Sequence, residues 1–173
     1  MFGWRSDAET SYFLSGTAPK SIENQQAWFE RVCRDTSCSC HIIEDQGVPI
    51  GCTSIFKADS AHSEAEWGIV MGKHREQGVM RAIAPLCCIC AFEFGELENL
   101  YTCINEDNGG AIRRVEQTGA TLFEEPSVYR KEGELLFRLN ADEFKKMLVT
   151  LVDASPALKE ALDVEMHLIE TVE

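Results

Sequence analysis

The sequence predicts a mixed α/β domain. Strand-like runs at 39–44, 50–57 and 63–71 are separated by turn residues, a long apolar helix follows the glycine at 78, and a further strand and amphipathic helix complete the pattern by 118. With 173 residues and 45% apolar composition, the chain suits one globular domain over 1–140 followed by a helical tail at 141–173.

Taken in order, 7–15 reads as a short helix and Pro19 breaks the chain after it. Ser21 is of the N-cap type, and Ile22, Gln25, Trp28, Phe29 and Val32 follow it near helical spacing. The strands at 39–44 and 50–57 are joined by Asp45-Gln46-Gly47-Val48-Pro49, a turn by composition. A third strand covers 63–71, and the helix behind it runs through 79–94. Residues 100–104 alternate as a strand, 109–118 follow as a helix, and 121–123, 128–130 and 134–139 form the last hairpin. In the tail, Phe144, Met147, Leu148, Leu151 and Val152 repeat as one helical stripe. Ser155-Pro156 then supplies cap and first-turn residues for another helix through Leu158, Leu162, Met166 and Ile169. Such stripes bury against something, and the domain's own surface is the expected partner, with a second subunit as the alternative.

Between the third strand and the long helix lies Lys73-His74-Arg75-Glu76-Gln77-Gly78-Val79-Met80. Backbone N–H groups at a helix start are unpaired and sit at the positive end of the helix dipole, so they bind phosphate oxygens. Gly78 lets the backbone approach such a ligand with no side chain in the way.

This segment resembles the pyrophosphate motif Arg/Gln-x-x-Gly-x-Gly/Ala of the GNAT superfamily of N-acetyltransferases, with Met80 at the last small position and acidic Glu76 inside it. Other pieces match in the family's order: Gly47-Val48-Pro49-Ile50-Gly51-Cys52 resembles its hairpin, Ala65-Glu66-Trp67-Gly68-Ile69 its fourth strand, and Asn108-Gly109-Gly110-Ala111-Ile112-Arg113 followed by Gly119 its next helix. A lone glycine motif is common by chance, but these pieces share one order and spacing. Trp4-Arg5-Ser6-Asp7, Ser21 to Phe29 and Ile42-Ile43 are similar to acetyltransferases of a nucleotide-linked aminosugar in flagellin glycan synthesis, and nearly as similar to the N-terminal alanine acetyltransferases of ribosomal proteins. The resemblance, over roughly residues 4 to 140, implies a GNAT fold, a mixed sheet of about six strands with helices on both faces; the helical extension at 141–173 lies outside it.

It also implies acetyl-CoA as cosubstrate and a set of site residues. The strand at 64–71 is expected to splay from the strand at 100–104, admitting the pantetheine arm along Ile69, Val70 and Met71, with amides near Val70 polarising the thioester carbonyl. Arg75, Glu76, Gln77, Gly78, Val79 and Met80 would take the pyrophosphate, and Asn108 would contact the arm or cap its own helix. Glu66 is the expected base, acting directly or through water. Relatives place a tyrosine acid seven residues after the asparagine, where this chain has Val115, so Tyr129, Tyr101 or water is left to protonate the thiolate. Arg5 and Trp28, with Trp4 and Phe29, would line the acceptor side, Arg5 pairing with a phosphate or carboxylate.

Charge and cysteine content narrow the partners. The formal net charge is −13, with 29 acidic and 16 basic residues, so the summed field repels polyanions and nucleic acid is not an expected partner, nor is a membrane. An anionic acceptor needs a local basic patch, for which Arg5, Lys73, Arg75, Arg130 and Lys131 are the candidates. Eight cysteines in a small secreted chain would suggest a disulfide framework, but no charged and apolar leader opens this sequence, so reduced thiols in a cytoplasm are expected. No paired Cys-x-x-Cys units with distant histidines occur, so no metal is expected. Family members usually carry a strand ahead of the Trp-Arg segment, and only three residues precede Trp4 here, so either the sequence starts late or the sheet lacks that edge, in which case a homodimer partner or the tail is the expected cover. The acceptor is expected to be a small-molecule amine such as the nucleotide-linked aminosugar; a protein N-terminus and a non-catalytic coenzyme-binding role are the alternatives.

Overall fold

The computed structural model describes residues 1–14, 19–57, 63–72, 77–95 and 97–162. Its elements are α1 (Phe2–Ser6), α2 (Ala8–Ser11), α3 (Ile22–Arg34), β1 (Cys38–Asp45), β2 (Val48–Lys57), β3 (Glu64–Met71), α4 (Gln77–Gly95), β4 (Asn99–Asn105), α5 (Gly109–Gln117), β5 (Thr121–Leu122), β6 (Glu134–Asn140) and α6 (Ala141–Ala154). A further helical stretch covers 156–162.

Local chemistry explains most boundaries. The helix expected at 7–15 starts where expected, the Asp7 carboxylate accepting the Thr10 N–H at 3.2 Å as the cap of α2, but α2 is shorter and ends at Ser11, and α1 precedes it as a helix that was not expected. Ser21 caps α3 through the Asn24 N–H at 3.3 Å. Between β1 and β2, Gln46 and Gly47 both have positive φ, 48° and 77°, the twist that a two-residue hairpin turn requires. Residues 128–130, expected as a strand, are not one: the Arg130 N–H closes a turn onto the Ser127 carbonyl at 3.2 Å, so β6 pairs only with β4 and the short β5.

The sheet has six strands in the order β1-β2-β3-β4-β6-β5, antiparallel throughout except for the parallel pair β3 and β4. Period-two alternation gives β3 two distinct faces. Ala65, Trp67 and Met71 point into the core with Ile83, Cys87, Cys88 and Ala91 of α4, while Glu66, Gly68 and Val70 point to the opposite side, level with Phe56, Ser54 and Cys52 of β2. Leu100, Phe137 and Leu139 are buried and seat β4 and β6 on the same core, while Leu136 is buried in a second cluster with Tyr101 and Tyr129.

Helix α6 packs onto the domain, where Phe144 meets Phe92 of α4 with ring centroids 5.6 Å apart, and beyond it Leu158 is fully buried. Met166 and Ile169 lie outside the described residues. Helix α6 contacts β6 and α4, whereas β1 forms the opposite end of the sheet. No described helix is long and apolar enough to cross a membrane.

Candidate active site

Parallel pairing between β3 and β4 covers only Glu64 with Asn99, Ala65 with Leu100 and Glu66 with Tyr101. Past Glu66 the strands part, although each continues, to Met71 and Asn105 respectively. A cavity of about 390 Å³ extends from this divergence. On one side it is lined by Met80, Ile83 and Ala84 of α4 with Asn108, Ala111 and Val115 at α5; on the other by Arg5, Thr10 and Phe13 of the first helical segments, Trp28 of α3 and Ser54 and Phe56 of β2. Glu66 and Lys131 lie on its wall as well.

Register decides which β3 amides face the gap. The Gly72 N–H donates to the Ile50 carbonyl on β2 at 2.7 Å, and N–H groups alternate sides along a strand, so the Val70 amide also turns to β2 whereas those of Ile69 and Met71 turn to the side that β4 has vacated. The amide donors expected near Val70 are therefore those of its neighbours. Gly72 itself is needed as glycine, since a Cβ there would lie 2.6 Å from Nε1 of Trp4, the residue that fixes α1 over the end of β3.

Of the expected coenzyme residues, Ile69, Val70, Met71, Met80 and Asn108 line the cavity. Val79 packs against the core instead, and Gln77 and Gly78 form the first residues of α4. Lys73, Arg75 and Glu76 lie outside the described residues. The Asn108 side chain accepts the Ala111 N–H at 3.1 Å as the α5 cap and also borders the cavity.

On the acceptor side, Arg5 and Trp28 line the cavity together, the guanidinium carbon 5.9 Å from the indole centroid. Arg5 Nε is buried and finds no hydrogen-bond partner among the described residues. Trp4 is instead a packing residue at Gly72, and Phe29, 51% exposed, is not among the described residues lining the cavity.

Glu66 is paired with Lys131, and the pair spans 65 residues of sequence. The tyrosines stand elsewhere. Tyr129 is buried, its hydroxyl donates to the Glu64 carbonyl at 3.1 Å, and its ring stacks on Tyr101 at 4.8 Å, so the position expected of a proton donor to the thiolate is not the one it occupies. The Tyr101 hydroxyl donates to the Glu64 carboxylate at 3.3 Å; burial and then the Glu64 charge push this phenol up to about 12. No tyrosine is among the described residues lining the cavity. Arg130 is also committed to structure, with Nη2 donating to the carbonyls of Phe123 and Glu125. Sequence reasoning named Glu66 and Lys131 separately but missed their pairing, for which no local signal exists.

The profile of the acetyltransferase (GNAT) domain matches residues 1–121. The chain belongs to this family and is an enzyme of the acetyl-transfer class. Its fold is similar to that of a spermidine N-acetyltransferase from Vibrio cholerae, solved with CoA and spermine, at a TM-score of 0.72 and 14% identity over 83% of this chain and 89% of that one. It is also similar to the N-acetyltransferase PseH of Campylobacter jejuni, solved with acetyl coenzyme A, at a TM-score of 0.60 and 16% identity over 82% and 87% of the two chains. A domain from Methanocaldococcus jannaschii matches at a TM-score of 0.63 and 18% identity, over 80% and 88%. No curated protein matches the chain in sequence.

Proposed function

We propose that this chain transfers the acetyl group of acetyl-CoA to the primary amine of a small molecule that also carries an anionic group, as a nucleotide-linked aminosugar does. The observation that carries the proposal is the early end of β3–β4 pairing, with a cavity opening where backbone donors become free. A thioester arm laid in that gap meets the amides of Ile69 and Met71 and the apolar side chains of Met80, Ile83 and Ala84. Those amides stabilise the oxyanion that forms as the amine attacks, and holding both reactants in one cavity supplies much of the rate.

Glu66 faces the acceptor side at the last paired rung and takes the proton from the attacking amine, directly or through water. With no described tyrosine on the wall, water protonates the departing thiolate. Arg5 supports an anionic acceptor, because a guanidinium held on an indole with an unused buried donor suits a phosphate or carboxylate. Trp28 offers a flat face against which a ring can lie.

The test is calorimetric titration with acetyl-CoA and desulfo-CoA, followed by thiol-release assays on nucleotide-linked aminosugars, polyamines and N-terminal peptides. Binding of both coenzyme forms and turnover of the anionic aminosugars, with an acceptor KM raised in Arg5→Ala, is expected. Turnover of polyamines alone, to which Glu9 and Glu66 on the same wall would be suited, would refute the anionic acceptor. Absence of coenzyme binding would refute the whole assignment.

A further inference from the structure

The segment between β5 and β6 crosses the point where β3 and β4 part, and it is fastened to both strands. Tyr129 donates its hydroxyl to the Glu64 carbonyl of β3 at 3.1 Å, and the Tyr129 carbonyl accepts the Cys103 thiol of β4 at 3.0 Å. On either side of Lys131 the path is closed by backbone bonds, from the Arg130 N–H to Ser127 at 3.2 Å and from the Glu134 N–H to the Lys131 carbonyl at 3.3 Å. Lys131 is thus delivered to one place, with its ammonium on the Glu66 carboxylate at the cavity wall. An ammonium on the carboxylate assigned to deprotonate an acceptor amine stands where an acceptor amine would stand.

Resting on the acetyltransferase reading above, we propose that Lys131 is an acceptor within its own chain, so that the enzyme acetylates this side chain when acetyl-CoA is present and no external amine fills the cavity. The Lys131 ammonium gives a proton to Glu66, and the freed Nζ attacks the thioester carbonyl carbon. An N–C bond forms as the C–S bond breaks. Of the two protons that the ammonium loses, one leaves through Glu66 to solvent and the other ends on the coenzyme thiolate, so the products are Nε-acetyl-lysine, free coenzyme thiol and one released proton. The reaction needs no other reagent and stops at one acetyl group per chain. It neutralises Lys131 and releases Glu66 from its ion pair, leaving the carboxylate open to an external amine.

Pre-positioning separates this reaction from chemical acetylation of surface amines, because a held nucleophile reacts as though at very high concentration. Lys20, Lys145, Lys146 and Lys159 are exposed and serve as internal references. The full chain is incubated with isotopically labelled acetyl-CoA and no acceptor, sites are mapped by peptide mass spectrometry over time, and acetyl-CoA binding is measured in parallel by calorimetry. Lys131 is expected to acquire label at least about tenfold faster than the reference lysines. Glu66→Gln should slow that site by on the order of tenfold or more while leaving the references unchanged, and Lys131→Arg should abolish the single fast site. Binding of acetyl-CoA with Lys131 labelled no faster than the references would overturn the proposal and leave the transferase reading standing. Failure of acetyl-CoA to bind would overturn both.

Discussion

Replacing Tyr129 by phenylalanine separates a structural from a catalytic tyrosine. The substitution removes only the hydroxyl, whose 3.1 Å bond to the Glu64 carbonyl ties the β5–β6 segment to β3. The ring, 7% exposed and stacked on Tyr101 with centroids 4.8 Å apart, stays in place. Loss of one such net hydrogen bond costs about 0.5–1.5 kcal/mol. In a domain of this size each kcal/mol lowers Tm by roughly 2–4 °C, so Tyr129→Phe should melt about 1–6 °C below the parent. Its turnover number with a saturating amine should stay within about twofold, whereas deleting a general acid costs roughly 10²–10⁴-fold. Thermal unfolding followed by circular dichroism reads the first quantity and thiol release reads the second. A hundredfold loss of kcat at an unchanged Tm would show that the hydroxyl serves the thiolate and would refute the structural assignment.

Asn108→Ala should cost about 1 kcal/mol through the lost α5 cap and also weaken acetyl-CoA binding by calorimetry, since the same side chain borders the cavity; a stability loss with unaltered affinity would confine the residue to capping. Leu158→Ala should destabilise by about 2–5 kcal/mol in denaturant melts, because Leu158 is fully buried; a change under about 0.5 kcal/mol would mean that the tail does not dock in solution. Alkaline pH should also lower stability. Burial pushes the Cys87 thiol up to about 12, so the folded state keeps its proton while the unfolded thiol loses it near the ordinary value of about 8.5. That contribution is complete below about pH 8.5 and disappears as pH rises towards about 12, and urea titrations at pH 7.5 and 10 should show the decline; equal midpoints would count against a buried neutral thiol.

The order of elements was legible in the sequence because each depends on neighbours in the chain. Ser21 and Asn108 mark their helix starts, and Gly47 marks the hairpin. The one-turn helix α1 was missed because five residues are too few to show a periodicity, and no side chain caps its start. Cavity-lining residues such as Met71, Met80 and Asn108 could be placed from local motifs. Tyr129 could not, since nothing near it in sequence reports that its hydroxyl ends on a carbonyl 65 residues away.

By itself, then, the sequence determined most of the strand and helix segments and caps such as Ser21 and Asn108, all consequences of interactions spanning a few residues. The tertiary structure alone decided where β3 and β4 stop pairing, which amides that leaves turned into the gap, and that Lys131 reaches Glu66. Those outcomes depend on register between distant strands and on a segment tied across them. A contact between residues far apart in the chain leaves no periodicity for sequence to display.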